Sequence, residues 1–518
     1  MFLSLMLKLI LSVAVLLCYF IYRYQKKYDY WRNLGVPFVG KSGDIIYETR
    51  KHKSFAIQDR YNELAPYPYG GIFQAGKPYL LVRDPELIQR ILVRDFSHFT
   101  DRGIAIHEEI DPLNANLFNL SGERWKKIRS KLIPIFSTGK LRSMFSKTEQ
   151  CILALNRYLS DQLKNSSEFE VRELMQKLTA QVIGTCVFGF DVDSISDEDT
   201  EFRKLERPIL KCELSFSITV AGPLKFRLRQ ILRSIHPRML VWLRWKGFNK
   251  EVEDFVMNVT REAVKNMEVN QNKRNDLIQL MANLQHEERQ ALQDQTNETF
   301  ADPLFTDHIL AAQLFIFFLA GYDTTATTLA NCLYELALNP GIMDRLRAEV
   351  QTICDRNCGK LDYDALNRMP YMDCIINETL RKYPPVGWLD RLCVKNYTLL
   401  DASLQIKENL NILIPVYALH HDPQFFPEPQ KFDPERFNEE NRSNIIPGTF
   451  LPFGDGPRIC IGNRFALMEI RAALAFFVNN FSLHPTSRTE VPLSFNNHSI
   501  LFRPARGVHL KIKKRKME

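Results

Sequence analysis

A cysteine in a glycine-rich loop is the residue of this sequence best placed for chemistry. Cys460 lies in the segment Phe453-Gly-Asp-Gly-Pro-Arg-Ile-Cys-Ile-Gly462, which contains three glycines and is followed from Arg464 by a helical pattern. Glycines let a backbone approach a flat ligand closely, and a helix N-terminus stabilises a nearby thiolate. A thiolate so placed is a metal ligand or a nucleophile. Because no nearby motif positions a histidine, the pattern favours the metal ligand.

A second group of polar residues interrupts an apolar helical pattern. The segment Ala320-Gly-Tyr-Asp-Thr-Thr325 contains a glycine, an acid and two threonines, all poor residues for a helix interior. An unpaired buried carboxylate is costly, so Asp323 needs a partner, access to water or a shifted pKa. Two interpretations stay open: a satisfied core aspartate at a helix kink, or a functional pair formed by Asp323 and Thr324.

One long helix must carry this polar segment. The pattern predicts a helix from Asp307 to Leu338, which begins after the capping residue Thr306 and ends before Asn339-Pro340-Gly341. Its length is about 48 Å, and its first half is apolar nearly all round, which indicates a helix through the centre of the protein. A second membrane span is a poorer interpretation, since the apolar part is too short.

The remaining patterns define the fold class. Gly70-Gly71 and Gly76-Lys-Pro78 punctuate two apolar runs, and Tyr79 to Val82 leads into Asp84-Pro85, a good helix start. From about residue 120 to 480 the dominant period is helical. We therefore predict a mainly α protein with small β-sheets, of the α+β class.

The N-terminus has the composition of a membrane anchor. Phe2 to Ile21 are apolar apart from Lys8 and two serines, and span about 30 Å as a helix. A cleavable signal peptide is the alternative, but there is no small-residue cleavage pattern. Basic residues follow the apolar run directly, so the body of the protein is expected on the cytoplasmic side. The predicted organisation is an anchor over 1–22, a linker over 23–40 and a single domain over 41–518.

Composition excludes several other classes. The formal net charge is +8, with one terminal basic run from Lys511 to Lys516, which is a weak signal for nucleic acid. A solvated tail explains the run most simply, ahead of anionic lipid or an acidic protein partner. The ten cysteines show no spacing typical of disulfides or zinc, which suits a reducing compartment.

The cysteine loop resembles the haem-binding signature of the cytochrome P450 superfamily. Four further segments match that family in the same order along the chain: Trp125-Lys-Lys-Ile-Arg129, Ala320 to Thr325, Glu378-Thr-Leu-Arg381 and Phe432-Asp-Pro-Glu-Arg-Phe437. Tyr30 to Pro37 and Glu378 to Pro385 are similar to insect microsomal members that metabolise xenobiotics. The chain departs from the microsomal pattern in having only Pro37 where a proline-rich hinge usually follows the anchor.

The resemblance implies a role for each matching residue. Cys460 would be the axial ligand of haem b, and Asp323 and Thr324 would relay protons on the opposite side of the haem. Groups expected to bind the haem are Trp125, Arg129, Arg391, Arg458, Phe453, Gly454 and Gly462, with Arg102 as a further candidate for the propionates. Glu378, Arg381 and Arg436 would form a structural ion-pair network.

The resemblance also implies an activity. The expected enzyme is a monooxygenase of the endoplasmic reticulum membrane that acts on a lipophilic small molecule. Its electrons would come from NADPH through a separate flavoprotein reductase, with cytochrome b5 as a candidate second donor, and no nucleic acid is involved. Haem-thiolate isomerases or dehydratases, which need no external electrons, and a binding-only haem carrier or gas sensor remain as alternatives. Expected pocket segments are 105–119, 210–220, Ile316, Ala320, 386–389 and 495–501.

Overall fold

The computed structural model describes residues 29–40, 51–74, 77–189, 239–243, 250–269, 276–294, 303–399, 404–497 and 499–515, together with isolated positions elsewhere. Apart from five isolated helical positions, the expected anchor over 1–22 lies outside the described residues. The expected pocket segment 210–220 also lies outside them.

Helices form most of the described chain. They are α1 (Lys53–Glu63), α2 (Pro85–Gln89), α3 (Gly122–Leu132), α4 (Thr138–Gln162), α5 (Val171–Cys186), α6 (Met239–Trp242), α7 (Lys250–Val269), α8 (Leu277–Asp294), α9 (Asp307–Leu338), α10 (Pro340–Arg356), α11 (Tyr363–Leu366), α12 (Pro370–Lys382), α13 (Val416–His420) and α14 (Asn463–Asn480).

Three small sheets accompany the helices. Their strands are β1 (Tyr69–Gln74), β2 (Lys77–Val82), β3 (Glu168–Glu170), β4 (Leu389–Leu392), β5 (Tyr397–Thr398), β6 (Gln405–Ile406), β7 (Asn411–Ile414), β8 (Phe481–Pro485) and β9 (His509–Lys514). The orders are β1-β2-β7-β4, β3-β9-β8 and β5-β6, and β2 with β7 is the parallel pair among them. The predicted α+β class is confirmed.

The central helix α9 has the predicted bounds. The Thr306 hydroxyl accepts a hydrogen bond from the Ile309 N–H at 3.3 Å and caps its start. The helix packs against α5, α7, α12 and α14, and most of its side chains are buried. In the part of the chain that the structure describes, α9 is the helix with the length and apolar character of a membrane span, but its burial makes it the core helix.

Two glycines lie within a strand rather than between strands. We expected Gly70 and Gly71 to punctuate the apolar runs, but both belong to β1. A Cβ on Gly71 would lie 2.3 Å from Cγ of Trp31, and a Cβ on Gly70 would lie 2.4 Å from a methyl carbon of Leu64. The prediction was wrong because these positions are glycine to make room for Trp31 and Leu64, and a local sequence pattern does not reveal such tertiary packing.

Part of the expected linker belongs to the folded domain. Trp31 is fully buried, and its Nε1–H donates to the backbone carbonyl of Ile72 in β1 at 3.2 Å. Val39 N–H and Pro37 C=O both bond the backbone of Gly71. Within the expected linker over 23–40, the chain at Trp31, Pro37 and Val39 is therefore packed against β1.

A buried ion pair ties α12 to the segment before the cysteine loop. Arg381 donates to both carboxylate oxygens of Glu378, at 2.7 and 2.8 Å, and both side chains are fully buried. The third member, Arg436, has its Nε 3.5 Å from Glu378 Oε1. Arg381 also donates to the carbonyls of His420 and Pro429, each at 2.9 Å. The predicted three-member network is thus present.

Candidate active site

The cysteine loop turns tightly ahead of α14. The Cys460 N–H donates to the Phe453 carbonyl at 2.9 Å, which closes the loop. Gly454 and Gly456 have φ angles of +73° and +68°, a region that side chains disfavour. A Cβ on Gly456 would also lie 1.9 Å from the Leu92 carbonyl oxygen. Gly462 caps α14, and the described atom nearest to a Cβ placed there is on Phe136, at 3.8 Å.

The Cys460 sulfur lies deep in the protein but remains accessible. Its side chain is exposed, yet burial is the main cause of the raised pKa of its thiol. Both facts hold because the residue faces an internal space wide enough for solvent. The Gly462 N–H and the charges of Arg129 and Arg102 lower the pKa without offsetting burial. Burial thus opposes the thiolate expected for Cys460, and a metal cation bound to the sulfur would favour it.

Two arginines fasten the cysteine loop to α3. Arg129 donates to the Ile459 carbonyl at 2.7 Å. The Arg458 guanidinium stacks on the ring of Trp125, 3.9 Å from its centroid, and donates to the carbonyls of Thr100 and Leu120, each at 2.8 Å. Trp125 thus supports Arg458 through a cation–π contact.

Two further arginines complete a cationic cluster. Arg391 on β4 is almost fully buried and donates to the Asp390 carbonyl at 2.9 Å. Arg102 donates to the Phe118 carbonyl at 2.8 Å. Burial and then the charges of Arg391, Arg458 and Arg129 hold the pKa of Arg102 well below its usual range. Burial likewise lowers the pKa of Arg391 to about 10 and that of Arg458 to about 9.

The described carboxylates beside the arginine cluster are fewer than its guanidinium groups. Asp390 and Asp101 are the carboxylates that raise the pKa of Arg391 and Arg458. Among the residues that the structure describes, neither Nε of Arg391 nor Nη1 of Arg458 has a hydrogen-bond partner, although both atoms are buried. Buried guanidinium donors without partners call for an anionic ligand. The propionates of a haem meet that requirement, and an accessible sulfur meets the requirement of its iron, so the residues fit the group.

The central helix presents an accessible face in its middle. Ala320 is exposed and Ile316 and Thr324 are partly exposed, whereas most of α9 is buried. These residues are spaced four apart, so they lie on one face. Phe136 links this part of α9 to the cysteine loop: its ring stacks on Phe317 with centroids 5.9 Å apart and lies beside Gly462.

The helix is continuous through its polar segment. We expected an interruption at 320–325, but α9 is α-helical throughout. The threonine hydroxyls bond back within the helix, from Thr324 to the Ala320 carbonyl at 2.6 Å and from Thr328 to the Thr324 carbonyl at 2.8 Å. Because this back-bonding satisfies the hydroxyls, the polar residues need not break the helix.

Three donors hold the buried carboxylate of Asp323. Arg172 and Gln176 of α5 each donate to Oδ1 at 2.8 Å, and Arg503 donates to Oδ2 at 2.5 Å. Burial raises the pKa of Asp323, but the guanidiniums of Arg172 and Arg503 outweigh it, so the pKa lies below the ordinary value. The required partners are present, and the interpretation of a satisfied core aspartate describes these contacts.

A surface cleft leads to this carboxylate. The cleft has a volume of about 630 Å³, and its lining includes Arg172, Gln176 and Arg503. Solvent can therefore reach the three groups that hold Asp323. Sequence reasoning missed all three. The available signal was the spacing of Arg172 and Gln176, which lie four apart on one face of α5.

The expected pocket segments have different surroundings. Leu389 lies beside the cysteine loop, 3.8 Å from the position of a Cβ on Gly454. Phe495 stacks on Phe502, with ring centroids 3.8 Å apart, and so belongs to core packing. Ile500, from the same segment, is 68% exposed. The segment 105–119 packs against α9 through a short helical turn, Pro112–Asn114.

A helix-rich fold, an accessible deep cysteine and a buried arginine cluster together define a haem-thiolate protein. The family model for cytochrome P450 matches residues 34–511. The chain is 35% identical over 509 residues to cytochrome P450 6j1 of Blattella germanica, covering 97% of this chain and 96% of that protein. It is 36% identical over 510 residues to cytochrome P450 9e2 of the same organism, covering 93% of each. It is 33% identical over 524 residues to probable cytochrome P450 6a20 of Drosophila melanogaster, covering 98% and 99%.

The chain belongs to the cytochrome P450 family and is a haem-dependent monooxygenase.

Proposed function

We propose that this enzyme inserts one oxygen atom of O2 into a lipophilic small molecule, with electrons supplied from NADPH by a separate flavoprotein reductase. The observation that carries the proposal is the pairing of the accessible Cys460 sulfur with buried arginine donors that have no partner among the described residues. Cytochrome b5 is a candidate second donor. The apolar, accessible Ile316 and Ala320 support a lipophilic substrate, since burial of apolar surface contributes about 25 cal/mol per Å².

Different residues would bind different parts of the haem. Cys460 would bind the haem iron, Arg102, Arg129, Arg391 and Arg458 would hold the propionates, and Trp125 would support Arg458. Phe453, Gly454 and Gly462 would shape the loop that carries Cys460. When bound, the haem supplies the redox centre at which dioxygen is reduced.

Asp323 and Thr324 are proposed to move protons. The Thr324 hydroxyl is partly exposed and can exchange its bond to the Ala320 carbonyl for a bond to water. Asp323 is its neighbour in the chain, and the cleft lined by Arg172 and Arg503 supports a supply of solvent protons. The guanidiniums of Arg172 and Arg503 keep the pKa of Asp323 low, so movement of either one away would favour protonation of its carboxylate.

The location follows from the N-terminus. We propose that residues 1–22 anchor the protein in the endoplasmic reticulum membrane with the domain on the cytoplasmic side, where the reductase and NADPH are available. The basic residues Arg23, Lys26 and Lys27 support that orientation.

The test is the difference spectrum of the dithionite-reduced protein with carbon monoxide, measured on wild type and Cys460→His. A strongly red-shifted Soret band in wild type that is lost in the variant is expected. Absence of this band from intact, haem-loaded wild type would contradict thiolate ligation. Consumption of NADPH in the presence of added reductase then separates a monooxygenase from an isomerase or dehydratase.

A further inference from the structure

The segment Asp111–Leu120, which we call the distal loop, is a compact turn. At its centre the Asn116 side chain donates to the Leu113 carbonyl at 2.9 Å and accepts from the N–H groups of Phe118 and Asn119. Asn116 is 2% exposed. These bonds cross-link the loop from Leu113 to Asn119 from within.

The side chain of Gln313 in α9 joins the distal loop to the central helix by hydrogen bonds at two backbone groups. The amide oxygen of Gln313 accepts from the Leu117 N–H at 2.7 Å, and its nitrogen donates to the carbonyls of Ala115 at 3.0 Å and Ile309 at 3.2 Å. Gln313 is fully buried. The amide therefore pairs with the backbone groups on both sides of Asn116, much as a neighbouring strand would.

Gln313 lies on the same face of α9 as the accessible residues nearer the middle of the helix. Ile316 and Ala320 follow it at spacings of three and seven, which places the three residues on one face. The other side of the loop reaches the arginine cluster, because Arg102 stacks on the Phe118 ring, 4.1 Å from its centroid, and bonds the Phe118 carbonyl. The distal loop is thus held between the accessible face of α9 and the arginines.

We propose that Gln313 is a positioning residue. It fixes the distance between the distal loop and α9, and this distance limits the size of the ligand that can enter the substrate space. The inference rests on the proposed function of the site, since it assigns this space to substrate. The bond pattern explains why an amide stands in an apolar run: the loop presents one donor and one acceptor, and only a side chain with both satisfies them. An apolar residue would leave both groups buried without partners.

The test compares two iron ligands in the haem-loaded full-length protein. Imidazole and N-benzylimidazole share the nitrogen that binds iron, and N-benzylimidazole adds a phenyl ring that requires more space. For Gln313→Leu we expect the ratio of the two dissociation constants, from optical titration, to change by about tenfold, with imidazole binding unchanged within about twofold. Hydrogen–deuterium exchange should accelerate over residues 111–120, where the Leu117 N–H loses its acceptor.

Gln285→Leu is the matched control. Gln285 is also a buried glutamine, 3% exposed, but it donates to Asp307 at 2.8 Å, and among the described residues none of its hydrogen bonds reaches the loop. It should leave the ratio and the exchange of 111–120 unchanged. If Gln313→Leu does not load haem, the isosteric Gln313→Glu, which keeps the acceptor but loses the donor, takes its place in the same comparison.

An unchanged ratio in a haem-loaded variant would overturn the proposal, and so would an equal loss of affinity for both ligands, which indicates general damage. Equal binding of the two ligands by wild type would also contradict it. Failure of the wild type to give the red-shifted carbon monoxide band is a different result, because it contradicts the proposed function and not the role of Gln313.

Discussion

Asp323 and Thr324 are adjacent in the chain but have opposite surroundings. Asp323 is enclosed by three donors, whereas the Thr324 hydroxyl bonds the Ala320 carbonyl of its own helix and is partly exposed. The sequence allowed us to predict that Asp323 needs a partner, because an unpaired carboxylate in an apolar helix is costly. It could not identify Arg172 and Arg503, which lie 151 and 180 residues away.

Replacement of Thr324 should separate electron consumption from product formation. For Thr324→Ala we expect normal haem binding, continued consumption of NADPH with reductase, and a fall in product of about a hundredfold as reducing equivalents appear as hydrogen peroxide. The measurement is the ratio of product and peroxide to NADPH oxidised.

Thr328→Ala is the control for this prediction. Its hydroxyl makes the same kind of back-bond one turn later, to the Thr324 carbonyl, but its side chain is buried. Full coupling in Thr324→Ala, or equal uncoupling in both variants, would remove Thr324 from the proton path.

At the scale of elements, local signals predicted single helices well. The bounds of α9 follow from its cap and from Asn339-Pro340, and Asp84 caps α2 as expected, accepting from the Leu87 N–H at 2.7 Å. Prediction failed where a residue serves a distant element. Gly70 and Gly71 lie within β1 because the side chains of Leu64 and Trp31 pack against them. Gln313 interrupts an apolar run because its side chain accepts a hydrogen bond from the distal loop. Trp31 and the distal loop are distant in sequence from the residues that they contact, so the local pattern could not predict either contact.

The Glu378–Arg381 pair should be essential for the element that carries it. Both side chains are fully buried, so Glu378→Ala leaves a guanidinium without its anion, at a cost on the order of 3 to 5 kcal/mol. We expect this variant to yield no haem-loaded protein, measured by the haem absorbance of the purified product.

Asp161→Ala is the matched comparison. Asp161, at the C-terminal end of α4, and Lys164, just beyond it, have the same spacing and a distance of 2.9 Å, but their side chains are 70% and 75% exposed. This variant should load haem normally and change the free energy of unfolding by at most about 0.5 kcal/mol. A stable, spectrally normal Glu378→Ala would show that the buried network is dispensable.

At the scale of the whole molecule, some single contacts join distant parts of the chain. His52 caps α1 by accepting from the Ser54 N–H at 3.2 Å, while its other ring nitrogen lies 3.3 Å from the Leu501 carbonyl, 449 residues away. The ring is fully buried, and burial lowers its pKa from 6.5 to about 4. Folding therefore keeps His52 neutral at pH values where the unfolded chain is protonated.

This histidine should make stability fall in acid. Its contribution is fully present above pH 6.5 and is lost as the pH falls towards about 4, a total of about 3 kcal/mol. His52→Asn keeps a capping side chain but cannot titrate, so its urea midpoint should fall less than that of wild type between pH 7 and pH 5. His286→Asn, at an exposed position on α8, should behave as wild type does. Identical pH dependence in wild type and His52→Asn would contradict the assignment.

If the proposed anchor holds the protein in a membrane, the burial of Trp31 against β1 limits how far the enzyme can move from the bilayer. With the proposed anchor ending at residue 22 and the packed chain beginning at Asp29, the six residues between them span at most about 25 Å when fully extended. The domain would then work on a short tether, close to the bilayer surface. A lipophilic substrate dissolved in the lipid would be sampled by two-dimensional search rather than from the bulk solution, at a local concentration set by its partitioning into the membrane.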